Sequence, residues 1–123
     1  MKLHLQPRAG LHLISRYAAG SVSVNEVTYT QSLILLPDRV VTDWGATGFA
    51  GLHTAHFERL VGFKPEVALL GTGARQRFPS PVLTAALAHA GIGLEVMDTG
   101  AACRTYNILA GEGRRVAAAL ILE

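Results

Sequence analysis

One cysteine, Cys103, stands in 123 residues. An intrachain disulfide is therefore excluded, and the Cys-rich spacing of a structural zinc site is absent. Charge is scarce too: Asp, Glu, Lys and Arg make up 16% of the chain, too little for a disordered tail or a polyelectrolyte surface. The net charge of +2 and the isoelectric point near 9.0 come without any run of lysines or arginines. A nucleic-acid partner is not expected, since phosphate-backbone binding asks for a clustered basic stripe. No apolar run approaches the ~20 residues of a membrane span. The opening MKLHLQPRAG has no apolar core of the length that a secretory leader needs, and its Pro7-Arg8-Ala9-Gly10 reads as a lead-in to the fold. Half of the residues are hydrophobic, which suits one domain over residues 1–123 with a real core. The expectation is a cytoplasmic protein in a reducing compartment, without a cofactor.

The first third of the sequence has β character. Leu11–Tyr17 alternates imperfectly, and Val22, Val24 and Val27–Thr30 flank an Asn25-Glu26 turn. Ser32–Leu36 is an apolar strand closed by Pro37-Asp38-Arg39, with Val40–Trp44 beyond it. After a glycine-rich loop anchored by Phe49, the spacing of Phe57, Leu60 and Val61 predicts a helix from Thr54 that Gly62 closes. From Glu66 the order becomes β-α-β-α-β. Strand Val67–Leu70 leads to a helix capped by Ser80 with Pro81 at its first position, whose apolar face is Val82, Leu83, Ala86, Leu87 and Ala90. Strand Leu94–Met97 leads to a helix over Ala101–Ala110 with Thr99 as its cap, and Arg115–Leu122 is the last strand. Strands joined through a helix are expected to be parallel, with right-handed crossovers, so the fold class is α/β.

Ligands of parallel sheets bind beyond the carboxyl ends of the strands. That rule places Gly71-Thr72-Gly73, Arg75, Arg77, Asp98 and Thr99 on one rim. Backbone N–H groups of a glycine turn, guanidinium groups and a helix N-terminus together suit a small anion, a phosphate or a carboxylate. Arg75, nearer the glycines, is the favoured cation, because an extended turn points Arg77 to the other side. The glycine turn matches neither the dinucleotide fingerprint nor the P-loop, and glycines at such a corner also serve backbone geometry alone. Cys103 lies in its helix's first turns beside Arg104, a setting that can activate a thiol. With no base brought near by local spacing, it reads better as a small buried hydrophobe. His53 and His56 are three apart, but nothing completes a metal set, so a capping or surface role is expected. Trp44 reads as core rather than as an exposed recognition residue.

Two blocks of the sequence are specific enough to resemble a known family. They are LLGTGARQRFP, a GTG turn followed by arginines and a proline, and GLEVMDTGAACRTYNILAGEGRRVAAAL, with its AACRTYNIL helix. They resemble a family of small α/β proteins of bacteria, archaea and mitochondria that includes an assembly factor for respiratory complex I, the NADH:ubiquinone oxidoreductase. The resemblance implies a hammerhead-like, β-rich N-terminal part joined to the parallel unit, and no established enzymatic activity. It carries the family's motif onto Gly71, Thr72, Gly73, Arg75, Thr99, Cys103, Arg104, Thr105, Tyr106 and Asn107, without catalytic roles. The expected function is a non-enzymatic binding or assembly protein with a protein partner, such as a membrane-associated complex. The alternative is a small-anion binder, with or without catalysis, at the rim formed by Gly71–Arg77 and Asp98–Cys103.

Overall fold

The apolar runs of the sequence become strands whose successive side chains serve two different cores. In this computed structural model the described residues are 10–123, and the lead-in read over residues 7–9 lies outside them. Strands β1 (Ile14–Ala18), β2 (Ser21–Val24) and β3 (Val27–Tyr29) form an antiparallel meander. Its second turn has positive φ at both Asn25 (47°) and Glu26 (72°), the backbone of a tight hairpin turn that matches strand twist. β4 (Leu33–Leu36), β5 (Arg39–Val41), β6 (Val67–Gly71), β7 (Gly93–Met97) and β8 (Val116–Leu120) form a second sheet in the order β5-β4-β8-β6-β7. β7, β6 and β8 run parallel, while β4 lies antiparallel to both β8 and β5. The α/β class and the parallel C-terminal unit expected from the sequence are present, and β4 and β5 extend that unit's sheet.

The chain steps from β6 to β7 and then back across β6 to β8. Two right-handed crossovers in opposite directions must lie on opposite faces of the sheet. α2 (Pro81–His89) accordingly shares one core with α1 (Thr54–Gly62), containing Phe57, Leu60, Leu87, Ala68, Leu70, Ala117, Ala119 and Ile121. α3 (Thr99–Gly111) shares the other core with the meander, containing Val22, Val24, Leu69, Ala102, Tyr106, Ala110, Val116, Ala118 and Leu120. The Val116–Leu122 run thus alternates between the cores, as the two-residue period of a strand dictates.

Several local expectations shift. The strand read over Val40–Trp44 ends at Val41, and Trp44 turns inward to donate its indole N–H to His56 O at 3.0 Å. α1 ends at Gly62, but the left-handed residue after it is Lys64, with φ 53°. His56 Nδ1 accepts the His53 backbone N–H at 2.9 Å, the capping role expected of this pair. Ser80 and Pro81 start α2 as read, yet only Leu87 of the predicted face is fully buried and Val82 is 76% exposed. The helix is only nine residues long and turns Pro81 and Val82 to solvent. The cap of α3 is Asp98, not Thr99: its carboxylate accepts Ala101 N–H at 2.8 Å, which releases the Thr99 hydroxyl for another task. Tyr106 is fully buried and donates its hydroxyl to His12 O at 2.7 Å. Leu109 is only partly buried against the same core.

β8 carries three consecutive alanines, all with no exposure, so the sheet has no spare room at its centre. Ala118→Leu should lower the unfolding free energy by about 1–3 kcal/mol through overpacking. Ile108→Ala, at a position 60% exposed, should stay within about 0.5 kcal/mol. Urea titrations giving equal losses would be incompatible with a central strand buried on both faces.

Candidate functional site

Three parallel strands end at one rim, and two threonines tie those ends together. Gly71 lies so close to the start of α3 that a Cβ there would meet Thr99 Cα at 2.9 Å. A side chain at that position would force strand and helix apart. Gly73 adopts φ 92° and returns the chain towards the sheet. The fully buried Thr99 hydroxyl donates to Ile121 O at 2.8 Å and accepts Gly73 N–H at 2.7 Å. A single hydroxyl therefore links the turn after β6 to the extension of β8 at the first turn of α3. Thr72, also fully buried, donates its hydroxyl to Arg75 O at 2.7 Å and accepts Arg77 N–H at 3.0 Å. Its own N–H goes to Met97 O at 2.9 Å.

The turn is bent rather than extended, so face alternation does not govern its arginines. Arg77 curls back, and its Nε and Nη2 donate to Thr72 O at 3.2 and 2.6 Å. The same guanidinium pairs with the Glu123 carboxylate and lies 4.6 Å over the Phe49 ring. Arg77 is thus the cation built into the rim, the reverse of the sequence reading, while Arg75 is exposed on the outside of the turn. The backbone donors of Thr72 and Gly73, which the anion reading counted on, are engaged within the protein. Glu123 and Phe49 complete the arrangement. Neither was legible as part of it, because each comes from a stretch distant in the sequence with no pattern of its own.

The remaining candidates lie together elsewhere. Cys103, Arg104 and Asn107 line a shallow groove with Gly100 and the β1 residues Ile14–Tyr17. Asn107 spends its whole amide on β1: Oδ1 accepts Ile14 N–H at 2.9 Å and Nδ2 donates to Ile14 O at 2.8 Å. It stands in for a neighbouring strand and fastens the meander to α3. Arg104 points to solvent. Cys103 is buried, and desolvation pushes its thiol up to about 12, against a smaller opposing pull from Arg104. A thiol held protonated is a poor nucleophile at neutral pH, in line with the reading of a small buried hydrophobe. Among the described residues no group of His, Cys, Asp and Glu is arranged to hold a metal.

Thr99→Val should remove the hydroxyl and leave two buried backbone groups without partners, at a loss of about 2–4 kcal/mol. Thr99→Ser keeps the hydroxyl and should lose only about 1 kcal/mol; equal losses in urea titration would dismiss the bridge. The thiol gives a pH signature with a definite sign. The unfolded chain releases its proton near 9.0 while the folded chain holds it to about 12, so stability present below pH 9 declines as pH rises between these values. Cys103→Ala should make that alkaline decline shallower in thermal melts, and an unchanged slope would contradict the buried thiol.

Comparison with known proteins places this geometry. Residues 14–121 match a family described as a protein of unknown function (DUF498/DUF598). The 13 kDa major membrane protein of Francisella tularensis subsp. holarctica is 29% identical over 106 residues, covering 85% of this chain and 86% of that protein. NADH dehydrogenase (ubiquinone) 1 alpha subcomplex assembly factor 3 of Bos taurus is 34% identical over 110 residues, covering 88% of this chain. The match spans 59% of the bovine protein, so this chain corresponds to only part of that longer relative. A crystal structure of a Bordetella parapertussis protein superposes with a TM-score of 0.87 at 37% identity, covering 95% of this chain and all of that one. The matched span runs from the first residue of β1 to the end of β8, with the same overall fold in the Bordetella structure: this chain belongs to the DUF498/DUF598 family, which includes the complex I assembly factors.

Proposed function

We propose that this chain is a non-enzymatic binding protein of the assembly type, acting through protein contacts at a membrane-associated complex, on the cytoplasmic side. The observation that carries this reading is kinship with the mitochondrial assembly factors across most of the chain, at 34% identity for the bovine protein. The name of the Francisella relative, a major membrane protein, agrees with work near a bilayer. Among the described residues no helix is long and apolar enough to cross one.

The surface supports a docking role. Phe78 is 72% exposed and Val82 76% exposed, four residues apart where the rim turn enters α2. Two large apolar side chains are thus left in water within a short stretch of chain that also carries the exposed Arg75. The competing reading, a small anion at the rim of Gly71–Arg77 and Asp98–Cys103, would rest on Arg75, since Arg77, Asp98 and the turn's backbone donors are engaged within the fold.

Affinity capture from the native cell, with and without detergent-solubilised membranes, tests the proposal. The wild-type chain should retain subunits of a membrane complex only when membranes are included. Phe78→Ser combined with Val82→Ser should reduce that capture at least about tenfold while shifting stability by less than about 1 kcal/mol. Capture that ignores the double substitution would remove Phe78 and Val82 from the interface. No membrane-derived partner at all would sink the assembly reading.

A further inference from the structure

At the end of the sheet opposite the rim, a cleft of about 380 Å³ opens between the turn after β4, the start of β8 and the C-terminus of α3. Leu36, Phe63, Pro65 and Val116 give it an apolar lining. Three arginines, Arg39, Arg114 and Arg115, and one carboxylate, Asp38, also line it, and the Glu66 carboxylate stands beside Arg114. Arg39 is distant in the sequence from the adjacent pair Arg114-Arg115 and meets it because β4 runs antiparallel to β8. Its carboxyl end therefore lies at the amino ends of the parallel strands.

These guanidinium groups have little to do within the fold. Arg39 lies 4.9 Å over the Phe63 ring, a contact that orients its charge without neutralising it. Arg114 Nε is 3.7 Å from Glu66 Oε2, too long for a hydrogen bond. The other Glu66 oxygen accepts the Arg115 backbone N–H at 2.8 Å. That bond, ahead of the two arginine charges, holds the Glu66 carboxyl below its ordinary range. Among the described residues the Arg115 guanidinium takes part in no ion pair or hydrogen bond. Capping of α3 does not occupy the arginine side chains either: the carbonyls of Ile108, Leu109 and Ala110 accept backbone N–H groups of Glu112, Gly113 and Arg114. Cationic forks around an apolar floor are complementary to an anionic head on an apolar body, and the volume is at the small end of ligand sites.

We propose that this cleft binds a small amphipathic anion, a carboxylate or phosphate ester carried on a short apolar group, with Arg39 and Arg115 holding the head and Phe63 and Leu11 facing the body. The site is independent of the assembly reading and of the opposite rim.

Calorimetry and thermal shift on the full chain test it with hexanoate, phenyl phosphate, inorganic phosphate and neutral hexanamide as probes. At least one of the two amphipathic anions should bind at millimolar concentration or tighter, and which one does so identifies the head group. Inorganic phosphate should bind at least about tenfold more weakly, and hexanamide should produce no shift. Arg39→Gln and Arg115→Gln should each weaken binding by about tenfold or more, with little change in the melting temperature of the free protein. Arg75→Ala, at the other end of the sheet, should bind as the wild type does. Amide resonances of Leu36, Phe63 and Val116 should move on titration. Absence of binding by both amphipathic anions, equal binding of hexanamide, or a loss that follows Arg75 instead of Arg39 and Arg115 would overturn the proposal.

Discussion

Everything in this molecule hangs on β8 being buried on both faces. All five of its residues have no exposure, and its neighbours, β4 on one side and β6 on the other, leave it no free edge. A strand so placed must be apolar at every position, and it is. Its central alanines leave the volume on either side to larger side chains from the flanking layers. Phe57 and Tyr106, the two largest fully buried side chains, belong to opposite cores. Burial of this kind is worth roughly 25 cal/mol per Å² of apolar surface, and here one strand contributes to both layers.

The same centrality shapes the two ends of the sheet differently. At the carboxyl rim three parallel strand ends converge, and of the three only β8 has an antiparallel neighbour there, with Leu33 beside Leu120. The molecule closes these ends itself, with Thr72, Thr99, the Arg77 guanidinium and Glu123. An arrangement that looks in sequence like a receptor for an outside anion is largely occupied by its own groups. At the opposite end, α3 completes its carbonyls with backbone N–H groups, and the arginines of the surrounding turns are left facing a cleft.

Kinship supplies the functional context that geometry alone does not. The family contains assembly factors, and a protein named for the membrane is among this chain's relatives. A small scaffold with exposed apolar side chains at the entry to α2 is physically suited to docking. Its rim is rigid through buried hydrogen bonds, so such side chains would be presented in a fixed orientation, which lowers the entropy lost on association.

The sequence alone determined what depends on neighbours in the chain. The apolar periods, the Asn25-Glu26 turn, the Ser80-Pro81 helix start and the β-α-β-α-β order all arise from local backbone preferences, and joining strands through helices fixed the parallel unit. The residues of the two family blocks were legible as a pattern, and the GTG turn was rightly placed at the strand ends. Only the tertiary structure decided what each polar group does. Whether Arg75 or Arg77 enters the rim depends on a bend at Gly73 and on Glu123, 46 residues beyond Arg77. Asp98 displaced Thr99 as the cap because the Thr99 hydroxyl meets Ile121 O and Gly73 N–H in space. Asn107 carries no sequence signal of its bond to β1, 93 residues away. Arg39, in a turn, and Arg115, at the start of a strand, carried no site reading in the sequence; an antiparallel pairing brought them, with Arg114, to one cleft. Hydrogen bonds and ion pairs act over a few ångströms, and which groups come within that reach is fixed by sheet order and register, which no local pattern encodes.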